Sequence, residues 1–182
     1  DWSSDVCSSD LLDPFYRIVK QAIDDDTESL AIDKNLFACT GWWLGLPAVT
    51  DFESRCVESG IICTASSDLG MFGHGRFALV DSWRSEMIFF FFGTEQSWTR
   101  KKSTLSLIAE RTNLVNVLSP LSGPLAILYL FIRSIFIVDR ARYHLFDGRK
   151  SESFGEWGRL LLEDRKSTRL NSSHANISYA VF

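Results

Sequence analysis

The chain has 182 residues, of which 46% are hydrophobic and 23% charged, with a formal net charge of -4. That apolar fraction excludes an intrinsically disordered chain, and 11 glycines and 4 prolines are too few for a collagen-like or proline-rich linker protein. Mild acidity argues against a general nucleic-acid binder, and a mean hydropathy of +0.01 excludes a mostly membranous protein while leaving room for a single span.

The first stretch in chain order is Asp1-Trp2-Ser3-Ser4-Asp5-Val6-Cys7-Ser8-Ser9-Asp10-Leu11, and its counterpart is the C-terminal stretch from Asp164 to Phe182. Both resemble conceptual translations of a short-read library adapter. One DNA string, read in opposite orientations, encodes residues 1–11 and 164–173. The resemblance implies that residues 1–11 and 164–182 are adapter-derived and not native, and they are set aside in reading the fold from sequence. Cys7, His174 and the two glycosylation-type triplets at Asn171 and Asn176 then leave the functional inventory. The candidate native segment is 12–163, with 16 basic and 19 acidic residues and a net charge of -3. No Met precedes Met71. The expectation is an internal fragment of a longer gene, or an open frame through non-coding DNA.

Asp13-Pro14 reads as a helix start, with Asp at the N-cap and Pro at the first helical position. Phe15, Ile18, Val19, Ala22 and Ile23 share one face, so a short N-terminal helix is predicted over 14–23. Asp24-Asp25-Asp26 ends it, since anions at a C-terminus oppose the macrodipole. Residues 36–50 are uncharged and hold Gly41, Trp42, Trp43, Gly45 and Pro47. A buried loop is the favoured reading, with a strand pair or an interfacial segment as alternatives. Residues 60–65 read as a strand, 66–75 as turns, 76–80 as another strand. Met87-Ile88-Phe89-Phe90-Phe91-Phe92, ended by Gly93, fits a buried strand.

Residues 112–132 carry no charge, and Ile135-Phe136-Ile137-Val138 extends the run past Arg133 and Ser134. The length suits a membrane helix near 112–138, with a buried core helix as the alternative. Basic residues flank both sides, so no orientation follows. Asp147-Gly148 marks a turn, and 155–163 reads as a short helix.

Chemistry is sparse. Cys39, Cys56 and Cys63 form no C-x-x-C pair; a Cys56/Cys63/His74 metal site lacks the usual spacing, and structural cysteines are the favoured reading. Gly70, Gly73 and Gly75 reverse the order of the dinucleotide fingerprint and read as a plain loop. Asp24, Asp26 and Glu28 have the spacing of a calcium loop, but Ser29 and Asn35 stand at its two diagnostic positions. His74, Asp81 and Ser82 supply the residue types of a nucleophilic triad without a nucleophile elbow. No catalytic, cofactor-binding or metal-binding residue is assigned, and no cofactor is expected.

Pro120, Tyr129 and Arg133, with Glu156-Trp157 downstream, are similar to one transmembrane stretch of the autophagy-related lipid scramblases. The resemblance implies a membrane segment. The acidic pair expected after the Arg is absent, and no functional residue is carried over.

The sequence thus predicts an α+β fragment with a short N-terminal helix, a few apolar strands and one long hydrophobic helix. Residues 12–97 form its mixed part and 98–163 its hydrophobic helical part. The expected role is that of a membrane-associated, non-enzymatic piece whose partner, through 112–138, is the lipid bilayer or another helix. The alternatives are a small soluble α+β domain, or a spurious frame with no function.

Overall fold

The phenylalanine run at 89–92 forms the middle of the molecule. In the computed structural model, residues 8–25, 32–66 and 68–146 are described, all within the first of two compact units, 1–148. The expected turn at Asp147-Gly148, the helix at 155–163, Glu156-Trp157, both Asn triplets and adapter-like residues 1–7 and 164–182 lie outside the described residues.

Four parallel strands form one sheet in the order β2-β1-β3-β4. They are β1 (Leu36–Gly41), β2 (Ile62–Ser66), β3 (Met87–Thr94) and β4 (Asn113–Ser119). Because side chains alternate along a strand, Phe90 and Phe92 face one layer while Phe89 and Phe91 face the other. All four are at most 1% exposed, which is why β3 reads as unbroken apolar sequence. The expected buried strand is present and central.

On one face, Phe37, Cys39, Ile88, Phe90, Phe92 and Val117 meet three helices. These are α1 (Ser8–Asp24), α2 (Leu46–Glu58) and α6 (Gly123–Phe146). Phe52 of α2 sits 4.9 Å from Phe90 and 5.0 Å from Phe92, ring to ring. The opposite face carries the one-turn α3 (Leu69–Met71), a π-turn (Phe72–Arg76), α4 (Phe77–Trp83) and α5 (Glu95–Ala109). There Phe72, Val80, Leu105 and Ile108 cover Met87, Phe89 and Phe91. The architecture is a three-layer α/β arrangement around a parallel sheet.

Several sequence expectations are corrected. Helix α1 begins at Ser8 and runs through Pro14 rather than starting there. Only Ile18 and Ala22 of its apolar face are buried; Phe15 and Ile23 are each 50% exposed. Residues 36–50 are not a buried loop but strand β1, a 3-10 turn (Trp43–Gly45) and the start of α2. Residues 76–80 lie in the π-turn and α4, not in a strand.

The long hydrophobic helix at 112–138 is also overturned. Its first part is β4, and Pro120 with Gly123 (φ +60°) breaks the chain before α6 begins. Arg133, Asp139, Arg140 and Arg142 interrupt α6, and a span needs about 20 apolar residues. No helix among the described residues is long and apolar enough to cross a membrane. Instead Ala126, Tyr129, Leu130, Ile137, Val138 and Ala141 bury one stripe against α1, α2 and the sheet. The membrane-spanning reading of 112–138 therefore falls, and a strand and a helix of an α/β domain replace it.

Buried polar contacts fix this layer. Arg133 donates from one guanidinium nitrogen to the carbonyls of Ala22 (3.1 Å) and Asp25. That places a cation at the α1 C-terminus, offsetting the aspartates gathered there. Ser134 donates to Asp51 at 2.7 Å, and Asp51 also pairs with Arg55 at 2.7 Å, joining α6 to α2.

Candidate functional site

In an open parallel sheet, ligands bind beyond the carboxyl ends of the strands, where the strand order reverses. Here β1 has β2 on one side and β3 on the other, so the switch point lies between β1 and β3. The register places Gly41 level with Phe92, and Thr94 level with Ser119. Three connections therefore converge at one edge: β1–α2, β3–α5 and β4–α6.

They enclose a cleft of about 620 Å³. Trp42, Trp43 and Leu44 line it from the first connection, Thr94 to Ser97 and Arg100 from the second, Ser119 to Gly123 from the third.

Glycines permit this convergence. A Cβ on Gly45 would stand 2.0 Å from the Phe92 carbonyl oxygen and 2.5 Å from its carbon. The β1–α2 turn thus lies directly on the β3 backbone, and Trp42 N–H donates to that same oxygen at 3.3 Å. A Cβ on Gly41 would meet the Gly45 backbone at 2.9 Å. Between them Trp43 adopts φ 53°, a left-handed conformation disfavoured for a bulky residue, and is 76% exposed. Strain of this kind, about 1–3 kcal/mol, gathers at functional sites.

The second wall is rigid. Thr94 caps α5: its hydroxyl accepts from Ser97 N–H at 3.2 Å, and Ser97 Oγ accepts from Thr94 N–H at 2.6 Å. Lys101 places its ammonium 3.6 Å from the centre of the Trp42 ring, tying α5 to the tryptophan turn. On the third wall, the buried Ser119 hydroxyl accepts from Leu121 N–H at 3.1 Å. The N-terminal ends of α5 and α6 both border the cleft, each bearing partial positive charge. Arg100 adds a full charge, and Glu95 opposes it in part.

Most of the residues weighed from sequence for chemistry lie elsewhere. Cys39, Cys56 and Cys63 do come together, between β1, β2 and α2, while His74 is exposed on the π-turn. No group of three or more His, Cys, Asp or Glu fit to hold a metal occurs among the described residues. Gly70, Gly73 and Gly75 belong to α3 and the π-turn, where Asp68 caps Met71 N–H at 2.8 Å. Asp81 pairs with Arg111 at 2.6 Å, and His74 and Ser82 are exposed. Asp24 ends α1 and Asn35 is exposed before β1; Asp26, Glu28 and Ser29 lie outside the described residues. Pro120 lines the cleft, and Tyr129 and Arg133 are buried in α6.

Sequence reasoning missed the cleft. The available signal was a short apolar run closed by Gly41, followed by Pro47 and the spacing Ala48, Val49, Phe52, Cys56. That pattern is a strand, a glycine turn and an amphipathic helix in succession.

No protein-family profile and no curated protein matches the chain. Among solved structures, the chain is similar to the glucosamine-6-phosphate deaminase of Thermotoga maritima, with a TM-score of 0.52 and 15% identity. The match covers 73% of this chain and 42% of that one, so the chain spans less than half of the deaminase's length, and the likeness is one of fold.

Proposed function

We propose that the cleft at the β1/β3 switch point binds a small anionic molecule carrying a ring, with a phosphorylated sugar as the class. The observation that carries this reading is the cleft itself: about 620 Å³, at the switch point, walled by three connections. The helix ends of α5 and α6 with Arg100 favour a phosphate. The exposed indole of Trp43 offers a flat apolar face to a ring. One solved structure of similar fold is named for a phosphorylated amino sugar, which is consistent with that class. The reading is one of binding.

Calorimetric titration of the full chain with glucosamine-6-phosphate, glucosamine and inorganic phosphate tests it. Saturable binding of the phosphorylated sugar, tighter than either part alone, is expected. Arg100→Gln should weaken it about 10-fold or more, the scale of one charge-assisted contact. No heat of binding from any phosphorylated sugar sinks the proposal.

A further inference from the structure

We propose that Cys63 is a peroxide-reactive thiol whose oxidised form is captured by Cys56 as an intramolecular disulfide. The site lies on the sheet face covered by α2. All three described cysteines are free thiols. Cys39 on β1 holds its sulfur 3.7 Å from that of Cys63 on β2, and Cys56 of α2 belongs to the core cluster that Cys63 packs against, its carbonyl accepting from Ile61 N–H at 2.8 Å, two residues before Cys63. Cys39 and Cys56 are 0% exposed; Cys63, on the edge strand, is half-buried and is the member of the trio that a small oxidant reaches from solvent.

The trio divides the labour of its protons. Hydrogen bonds from Cys39 and then Cys56 favour the Cys63 thiolate and hold its pKa down to about 5, although burial opposes this. The same bonds, with burial, push Cys39 and Cys56 well above the usual thiol range. Cys63 is thus the nucleophile at neutral pH, and its neighbours stay protonated.

The oxidant is hydrogen peroxide. The Cys63 thiolate attacks one peroxide oxygen, the O–O bond breaks, and the departing hydroxide becomes water by taking up the proton that the Cys63 thiol released to solvent on ionising. Cys63 is then a sulfenic acid. That step removes the anion that held the Cys56 proton. The Cys56 sulfur attacks Cys63 sulfur, the S–O bond breaks, and the departing hydroxide leaves as water with the Cys56 proton. Two thiols and one peroxide give one disulfide and two waters.

Cys39 is the poorer partner. Its register mate is Ala65, two residues beyond Cys63. Strand spacing and rise then put the two Cα atoms roughly 8 Å apart, outside the disulfide range of up to ~7 Å. Cys39 is also pinned between β2 and β3. Cys56 stands in the last turn of α2, joined to β2 by a turn of three residues, Ser59 to Ile61.

The test treats the reduced full chain with about one equivalent of hydrogen peroxide, alkylates what remains, and cleaves after glutamate. Cleavage at Glu53 and Glu58 puts the three cysteines on separate peptides. A Cys56–Cys63 cross-linked pair with Cys39 alkylated is expected. In Cys56→Ser the reaction should stop at a sulfenic acid on Cys63, trapped by a cyclic 1,3-dione. The unmutated chain gives a further readout that no folding defect confounds. Its Cys63 alkylation rate should change less than two-fold between pH 6 and 8, against about 80-fold for N-acetylcysteine. A rate that climbs in parallel with N-acetylcysteine, a Cys39–Cys63 link, or Cys63 left unoxidised would overturn the proposal.

Discussion

Gly45→Ala tests whether the cleft depends on direct contact between the β1–α2 turn and β3. The new Cβ would stand 2.0 Å from the Phe92 carbonyl oxygen and 2.5 Å from its carbon. An ordinary carbon–oxygen contact is about 3.3 Å, so one backbone must retreat by roughly 1.3 Å. No rotamer change relieves it, because both groups are main chain. Overpacking costs about 1–3 kcal/mol, and the displaced turn also forfeits the Trp42 to Phe92 hydrogen bond, about 1 kcal/mol. Gly45 has φ -81° and ψ -17°, which alanine adopts freely, so reduced unfolded-state entropy returns about 0.4–1 kcal/mol. The net loss is about 2–3 kcal/mol, a fall in Tm of roughly 8 °C for a chain of this size. Thermal melts followed by circular dichroism measure it. Gly73→Ala is the control: its Cβ meets nothing within 4 Å, so Tm should stay level or rise slightly. A Gly45→Ala protein melting within about 1 °C of the parent would refute the reasoning.

Three further substitutions probe single interactions. Arg133→Met leaves the Ala22 and Asp25 carbonyls without their buried donor; urea denaturation should show a loss of about 1.5–3 kcal/mol, and an unchanged midpoint would mean the guanidinium does not cap α1. Thr40→Val should be neutral or stabilising by about 1 kcal/mol, because the Thr40 hydroxyl is buried without a hydrogen-bond partner among the described residues; destabilisation by the same amount would reveal a partner. Trp43→Gly removes the left-handed strain at φ 53° and should raise stability by about 0.5–1 kcal/mol while weakening the phosphorylated sugar in calorimetry. A gain in stability with undiminished binding would take Trp43 out of the site.

How far the sequence speaks depends on whether the relevant signal is local. Residues 60–65 and 86–92 stand out as strands because each is an apolar run closed by turn formers. The run at 89–92 is apolar throughout because both of its faces are buried. At 36–50 the strand is six residues long and passes at once into a tryptophan turn, so no period establishes itself. Its partners, β2 and β3, lie far along the chain. Residues 112–138 misled for the opposite reason: a hydropathy sum joins β4 to α6 and ignores the break at Pro120 and Gly123. The same blindness hid the cleft. Its walls come from 42–44, 94–97 with Arg100, and 119–123, and only the register of β1, β3 and β4 brings them to one edge. The cysteines were legible as an inventory, but their meeting depends on β1 pairing with β2 and on α2 packing over both.

Removing residues 1–11 tests the reading that this stretch is adapter-derived. The described part of α1 anchors itself through Ile18 and Ala22, both C-terminal to Pro14. Asp13 to Arg17 are exposed. Without residues 1–11, Asp13 is left to cap a helix whose first residue is Pro14, a start that the proline ring favours. The missing turn is one that runs onto a proline, which has no N–H to donate. Deletion should therefore cost less than about 1 kcal/mol in urea denaturation. Removing residues 1–19 instead takes away Ile18, whose burial is worth about 1.5–3 kcal/mol, and serves as the comparison. If the shorter deletion costs as much as the longer, Ser8 to Leu11 contribute to the fold as native sequence does. The adapter reading of the N-terminus then loses its physical support, whatever the DNA-level resemblance.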